Sequence, residues 1–303
     1  MKTTRQRVLP QIAPEEGFTI IELVVVVVIS SIVVGLIGSF VKRPLEGYMD
    51  LERRATLVNV AESAIQRMAR DIRATLPNSL RVSADSRSLE LLHLADGARY
   101  RANPGTNDPN NDHTAATDWL DFTGDSQFNL LGRFSNLDFS YGTPLGAGHR
   151  ITIYNTSSNV YSDAATDADP GVITPSATTI TISNDGDEDG ITLSSSFDFL
   201  LSSPRQRLYL VDTSVSYLCD LGSEEITRYA SYSIASTQPT DPSVAPLNAA
   251  GSSSLVTNRV GACEFTYDPG TPSRAGLITI DLTLTEDGEQ VRLFEQVHVD
   301  NTP

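Results

Sequence analysis

The chain has 303 residues and is acidic, with 38 Asp and Glu against 22 Lys and Arg and a formal net charge of −16 at pH 7. This charge argues against nucleic-acid binding, because phosphate backbones are bound by clustered Lys and Arg. The length allows one large or two small domains, and the acidity fits a soluble exported domain.

An apolar run begins close to the N-terminus, as GFTIIELVVVVVISSIVVGLIGSFV over residues 17–41. About 20 apolar residues suffice to cross a bilayer as a helix, so residues 18–41 are predicted to form a transmembrane helix. Its one charged side chain is Glu22, and a carboxylate inside a membrane is costly unless a cation meets it. A cut before Phe18 would create an amino group one turn away and supply that cation.

The leader that precedes the apolar run, MKTTRQRVLPQIAPEEG, is polar and carries three basic residues. An ordinary secretory signal is cut after its apolar region, whereas here the small residue Gly17 stands before that region. A cut after Gly17 would remove residues 1–17 and keep the helix in the mature protein. The basic residues predict that the leader lies in the cytoplasm and that the chain after the helix lies in the periplasm or outside.

The stretch GFTIIE, followed at once by the apolar run, resembles the class III signal of type IV prepilins and pseudopilins. The resemblance implies that a membrane-bound prepilin peptidase cuts after Gly17 and methylates Phe18, the new N-terminal residue. It also implies that Glu22 guides assembly with other subunits. The alternative for the same residues is a plain signal anchor with a chance glutamate.

A second helical pattern follows over residues 42–77, where apolar residues recur at steps of three and four. Pro77 is predicted to end this amphipathic half of the helix, and Pro44, with Gly35 and Gly38, predicts a kink or flexible point. The C-terminal half of the stripe is expected to pack on the chain's own globular domain. Its members are Tyr48, Leu51, Ala55, Val58, Ala61, Ile65, Met68, Ile72 and Leu76.

From residue 78 the period of the apolar residues shifts to two, which predicts a β-rich domain over residues 78–303. Turns are predicted at 84–86 and 96–97, and loops at 103–125 and 235–254. The predicted strands are LRVS, SLELLHL, ARYRA, RFSNLDFSY, HRITIYN, RLYLVDTSVSYLC and ITRYASYSI, with the hairpins TTITIS–GITLSSSF and LITIDLTL–QVRLFEQVHV. The predicted fold class is therefore α+β, a long N-terminal helix followed by antiparallel strands and large loops.

The two cysteines of the chain are Cys219 and Cys263. In an oxidising compartment a lone pair usually forms a bridge, so a Cys219–Cys263 disulfide is predicted. Two buried thiols are the alternative.

One acidic turn is a candidate calcium site. The stretch DGDEDG matches the first half of a calcium loop, with Asp185, Asp187 and Asp189 as ligands. The glutamate that should follow the glycine by six residues is replaced by Ser196, so a solvated acidic turn is the alternative. A second, weaker candidate is formed by Asp108, Asp112, Asp118, Asp121 and Asp125.

Catalytic motifs find little support in this sequence. No G-x-S-x-G elbow is present, and no motif places a serine beside one of the four histidines. The sequence therefore predicts a structural protein with neither catalytic residues nor a cofactor, apart from the candidate calcium. The histidines are His93, His113, His149 and His298.

The kinked helix, the strands after it and the enlarged β-region resemble minor pilins and pseudopilins of the J class. Residues 259–303 are similar to the C-terminal region of a minor pilin of the mannose-sensitive haemagglutinin (MSHA) pilus system. This resemblance implies a helix packed on an antiparallel sheet, and a subunit that initiates or caps a pilus.

The implied partners are prepilin peptidase, the major pilin, other minor pilins and the inner-membrane assembly platform. The implied location is the inner membrane, with the C-terminal domain in the periplasm, and then the pilus tip. A J-type pseudopilin of type II secretion and a tip adhesin are the alternatives.

Overall fold

The computed structural model describes residues 17–103, 118–157, 159–270 and 274–301, without the side chains of residues 38, 39 and 41–43. The chain divides into two compact units, residues 1–53 and residues 54–303. An N-terminal helix followed by antiparallel sheets confirms the predicted α+β class.

The N-terminal helix, α1, spans Ile20–Arg73. The helix continues without interruption through Pro44, the position at which the sequence predicts a kink. It ends three residues before the last predicted position, Leu76. The chain then turns into the sheet, where the amide of Leu76 donates to the carbonyl of Leu92.

Within the second unit, α1 buries one face. Ala61, Ile65, Met68 and Ile72 are buried as the apolar stripe predicts, whereas Ala55 is exposed. Tyr48 and Leu51, at the N-terminal start of the stripe, belong to the first unit and are exposed. The buried face also contains Leu57, Ala64 and Ala69.

In the residues that the structure describes, twelve strands form three antiparallel sheets. The order is β1-β2-β7-β8-β9 with β4 beside β7 in the largest, β3-β6-β5 in the second, and β10-β11-β12 in the third. A seven-residue helix, α2 (Val160–Thr166), and a 3₁₀-helix (Leu247–Ala249) complete the described elements. The strands are β1 Arg81–Val82, β2 Ser88–Arg99, β3 Asp125–Asn129, β4 Arg150–Ile153, β5 Ile180–Asp185, β6 Glu188–Phe197, β7 Arg207–Asp220, β8 Glu225–Ala230, β9 Ser252–Thr257, β10 Val260–Asp268, β11 Gly276–Glu286 and β12 Glu289–Val299.

The largest sheet contains an insertion. Strand β2 pairs with β7 from one end of β2 to the other, and Arg99 stands opposite Arg207. Residues 100–206 therefore leave and re-enter the sheet between two neighbouring strands, and they supply β3 to β6 and α2. The insertion has its own core, which includes Phe128, Ile182 and Phe197.

The main core lies between α1 and the sheets. The buried face of α1 packs with residues of β2, β7 and β8 and with the inward side chains of β10, β11 and β12. A polar cluster also joins the helix to the largest sheet, because the carboxylate of Asp71 accepts hydrogen bonds from Tyr217 Oη (2.7 Å) and Arg228 Nε (2.6 Å).

Two local predictions were wrong for the same reason. Residues 96–97 do not turn but continue β2 through an irregular register, and residues 133–141 form no strand. The buried carboxylate of Asp96 accepts the amides of Ser135 (2.7 Å) and Asn136 (2.8 Å). The amides of Ser135 and Asn136 therefore have hydrogen-bond acceptors without a neighbouring strand. The chain can turn at these two residues.

Five elements were missed, namely α2, the 3₁₀-helix and the strands β3, β9 and β10. The helix α2 is short, and its buried residues Val160 and Tyr161 pack in a small core with Leu92. Strand β9 is rich in serine, a composition that is also typical of loops. The hairpins β5–β6 and β11–β12 were predicted correctly.

Cys219 and Cys263 form a disulfide, as predicted, and it ties β7 to β10. The bridge closes a loop across a sequence separation of 44 residues. In the chain-entropy treatment a loop of this size stabilises the folded state by about 4 kcal/mol.

The Cys219→Ser/Cys263→Ser variant is expected to lose about this free energy of unfolding, measured by denaturant titration of the full chain in detergent. Reductant should lower the stability of the native chain and leave the double variant unchanged. Equal stability of the two chains would contradict the expectation.

Candidate functional site

The start of α1 has a defined cap. Gly17, Phe18 and Thr19 precede the helix and are exposed. The Thr19 hydroxyl accepts the amide of Glu22 (3.3 Å), and the Thr19 carbonyl accepts the amide of Leu23 (3.2 Å). Thr19 is therefore the N-cap, which satisfies one of the amides that a helix leaves unpaired at its start. The predicted cleavage bond, Gly17–Phe18, lies just outside the helix in accessible chain.

Glu22 is the third residue of α1. Together with Thr19 it forms the Thr-x-x-Glu spacing of a capping box, a signal that sequence reasoning missed although it is visible in the sequence. A carboxylate in the first turn is favoured by the positive end of the helix dipole. Among the described residues, no Lys or Arg forms an ion pair with Glu22.

The first unit presents an apolar surface on all sides of the helix. The large apolar side chains from Phe18 to Phe40 are exposed, each by more than two fifths. The hydroxyl of Ser31 donates to the carbonyl of Val27 (2.7 Å), so this polar group is satisfied within the helix. A helix that is apolar all round needs an apolar environment, a membrane or other helices.

One helix in the described part of the chain is long and apolar enough to cross a membrane. Its window, Ile20–Ile37, has a mean hydropathy of 3.0 and no buried residue. A signal sequence near an N-terminus would pass the same test. The helix is consistent with membrane anchoring.

The candidate calcium turn does not bring its three carboxylates together. Asp189 is fully buried and accepts the amide of Phe134 (2.9 Å) and the hydroxyl of Tyr141 (2.9 Å). Asp185 accepts the side-chain amide of Asn129 (2.7 Å), and Asp187 lies in the exposed turn. Asp189 thus holds the segment of Phe134 and Tyr141 against the hairpin β5–β6. The described residues contain no group of three side chains suited to binding a metal.

Other candidates are placed as follows. In the weaker acidic run, Asp108 and Asp112 lie outside the described residues, as does His113. His93, at the middle of β2, forms a hydrogen bond to Asp212 (2.8 Å), and this bond raises the pKa of the imidazole. His149 contacts the backbone carbonyl of Gly146 (2.8 Å).

A capped, uniformly apolar N-terminal helix that follows a Gly–Phe bond and leads into an α+β domain supports a type IV pilin-like or pseudopilin subunit. The prokaryotic N-terminal methylation motif matches residues 13–38 by its family model. No curated protein and no solved structure matches the chain. The matched motif implies processing by prepilin peptidase and assembly with other pilins, and it indicates a structural subunit.

Proposed function

We propose that this protein is a minor pilin, a structural subunit that helps to initiate or cap an MSHA-like type IV pilus. The methylation motif over residues 13–38 carries the proposal. In this scheme prepilin peptidase removes residues 1–17 by cutting after Gly17 and methylates the amine of Phe18. The helix then anchors the chain in the inner membrane, with the second unit in the periplasm.

The helix cap supports the processing step. The Gly17–Phe18 bond precedes the N-cap Thr19, so a peptidase would meet this bond as exposed, non-helical chain. The cut would leave a new ammonium group next to the cap and close to Glu22. The helix start would be kept because both capping hydrogen bonds lie on the C-terminal side of the cut.

The apolar surface supports the assembly step. When a subunit moves from the membrane into a filament, residues 18–41 would exchange lipid for neighbouring helices. Glu22 would then need a cation, which the Phe18 amine of a neighbouring subunit supplies. A buried ion pair of this kind acts mainly by setting register and partner choice, since desolvation offsets much of its attraction.

The large second unit supports a rare subunit at the tip rather than a repeated shaft subunit. The insertion of residues 100–206 adds a second core to the domain, and a domain of this size would crowd a tightly wound filament. The partners would be the major pilin, other minor pilins and the inner-membrane assembly platform.

Two other functions agree with the same motif. A J-type pseudopilin of type II secretion would share the processing and the helix, and loss of exported enzymes rather than pili in a deletion strain would identify it. A tip adhesin is favoured by the insertion, which is large and separate from the main core. It would need ligand contacts in the long loops at 103–128 or 236–254, and deletion of these loops should then abolish adhesion while filaments persist.

The mass of the mature N-terminus tests the proposal. Intact-mass and N-terminal peptide analysis of the protein from its own cells is expected to find a chain that begins at Phe18 and carries one added methyl group. A Gly17→Leu variant is expected to keep its leader, because the peptidase requires a small residue before the cut. Native protein that retains residues 1–17 would refute the proposed processing and assembly.

A further inference from the structure

Strand β12 is the outer strand of the C-terminal sheet, and its free edge can be assigned residue by residue. The amide of Thr285 donates towards β10, to the carbonyl of Arg259 (2.8 Å). Because backbone groups alternate in direction along a strand, the even-numbered residues of β11 point towards β12. Glu286 and Glu289 flank a two-residue turn and stand opposite each other. Even-numbered residues of β11 therefore pair with odd-numbered residues of β12, whose N–H and C=O groups point towards β11. The outward N–H and C=O groups belong to Gln290, Arg292, Phe294, Gln296 and His298.

Other strand edges in the described part of the chain carry at least one hydrogen bond from a neighbouring segment. The amides of Gly142 and Leu145 donate to β5, residues 172–174 exchange hydrogen bonds with β4, and Arg67 of α1 donates to the carbonyl of Leu255 in β9. No described residue donates to or accepts from the outer edge of β12. Proteins usually protect edges, because an open edge is a template for another strand. The eleven-residue edge of β12 differs even from β10 at the opposite side of the same sheet, where the amide of Phe265 donates to the carbonyl of Ser86 (2.8 Å).

A groove runs beside this open edge, between β12 and the buried face of α1. Val58, Ile65 and Ala69 of α1 and Leu293 of β12 supply its apolar lining, and its volume is about 250 Å³. A fourth strand added to β12 would continue the sheet over α1. Its inward side chains would then enter the groove, as those of Val291 and Val297 already pack in the core.

The charges at the groove favour a basic segment. Glu62 and Glu295 line it, and neither forms an ion pair with a described cation. Arg292 on the same edge is already paired with Asp281 through two hydrogen bonds. The other cation in the lining of the groove is Arg73. It is the last residue of α1, where its positive charge interacts favourably with the negative end of the helix dipole.

We propose that β12 and this groove bind an extended segment of a neighbouring protein by strand addition. The segment carries apolar side chains at alternate residues, directed into the groove, and Lys or Arg beside Glu62 and Glu295. That the neighbour is another subunit of the same filament rests on the proposed function. Strand addition itself rests on the backbone groups and the groove.

Hydrogen exchange of the full mature chain in detergent micelles tests this inference. The probe is a capped peptide of about ten residues, within the usual range of strands, with alternating Val and Thr and a Lys at each end. The peptide is expected to slow exchange at the five outward amides of β12. A peptide that is N-methylated at alternate residues on its pairing edge should have no effect. No protection at saturating peptide, equal protection by the methylated peptide, or protection outside β12 would overturn the inference. Peptide-free protection that rises with protein concentration would also overturn it, since a second copy would then occupy the edge.

A pair of variants at one position sharpens the test. Gln296→Pro removes an outward N–H without removing a hydrogen bond to β11, and proline is tolerated at such edge positions. It is expected to weaken peptide binding about tenfold, whereas Gln296→Ala keeps the N–H and should bind as the native chain does. Glu62→Lys should weaken the Lys-flanked peptide and favour a Glu-flanked one. Equal binding by the proline and alanine variants would contradict strand addition.

The same pair separates this inference from the proposed function in cells. Leader removal is expected to be normal in both variants, and filament incorporation should fall only for Gln296→Pro. Equal incorporation of the two processed variants would refute the claim that the groove binds another subunit of the filament. It would not affect the proposed processing. A retained leader in the native chain would instead refute the function, whatever the peptide does.

Discussion

Replacing Glu22 with alanine is expected to leave leader removal intact and to keep the protein out of filaments. The cleavage bond precedes the cap of α1, and the cap hydrogen bonds use the Thr19 hydroxyl and carbonyl and two backbone amides. None of these groups is lost in Glu22→Ala. What is lost is the carboxylate that would pair with the Phe18 ammonium of a neighbour, and an unpaired ammonium buried among helices is costly. Incorporation should fall by at least about tenfold, the effect of 1.4 kcal/mol.

Two controls distinguish charge from helix capping. Glu22→Gln keeps the size of the side chain and removes its charge, so it should fail to incorporate as Glu22→Ala does. Thr19→Ala removes the cap hydroxyl, at a cost of about 1 kcal/mol in helix stability, but keeps the carboxylate and should still incorporate. The readouts are the N-terminal mass and the ratio of protein in sheared filaments to protein in membranes. Normal incorporation of Glu22→Gln would refute the electrostatic role of Glu22.

Replacing Arg81 with methionine is expected to cause a large loss of stability in the second unit. Arg81 Nε donates to the fully buried carboxylate of Glu90 (2.6 Å), and its other nitrogens donate to the carbonyls of Ala235 (2.9 Å) and Ser236 (2.6 Å). Its guanidinium also lies 3.6 Å above the ring of Tyr161 in α2. Removing one member of a buried ion pair leaves an uncompensated charge and costs about 3–5 kcal/mol.

A surface arginine provides the matched control. Arg274 pairs with Asp268 at the same distance of 2.6 Å, but both side chains are more than half exposed. Arg274→Met should therefore change the free energy of unfolding very little, because solvent screens such pairs. The double variant Arg81→Met/Glu90→Gln should recover part of the loss, since no charge is then buried. An equal effect of the two single arginine variants, measured by denaturant unfolding, would contradict this assignment.

The pH dependence of stability should report the same site. Burial, which outweighs the attraction of Arg81, raises the pKa of Glu90 to about 7, from 4.5. Between these values the folded chain holds a proton that the unfolded chain has released, so stability falls as pH rises from about 4.5 to about 7. The expected decline is about 3 kcal/mol. Glu90→Gln should remove this decline. A second decline should remain at higher pH, where His93 loses the proton that its hydrogen bond to Asp212 stabilises in the folded chain. The same decline in Glu90→Gln would contradict the assignment.

The N-terminal and C-terminal parts of the chain could be predicted from local patterns. The apolar run after Gly17 has one charge and the length of a bilayer, and Ile278, Ile280, Leu282 and Leu284 alternate along one face of β11. Periods of 3.6 and 2 are properties of neighbouring residues. They predict a helix or a strand whenever one face is buried, without knowledge of the partner.

The tertiary structure alone decided where the polar groups went. Asp96 and Asp189 look like solvated turn residues in the sequence, yet their carboxylates accept amides of distant segments and are buried. Glu90 lies in an alternating strand, yet Tyr232 and Arg81 enclose it. Buried carboxylates must find donors, and which segment supplies them depends on long-range packing.

The N-terminal sequence by itself determined the processing motif, the apolar helix and the position of Glu22, because each depends on residues close in the chain. Only the fold decided that residues 100–206 form an insertion between paired strands and that the edge of β12 stays open beside α1. Strand order and edges depend on pairing between residues far apart in sequence, and the period of a single strand carries no information about its neighbours.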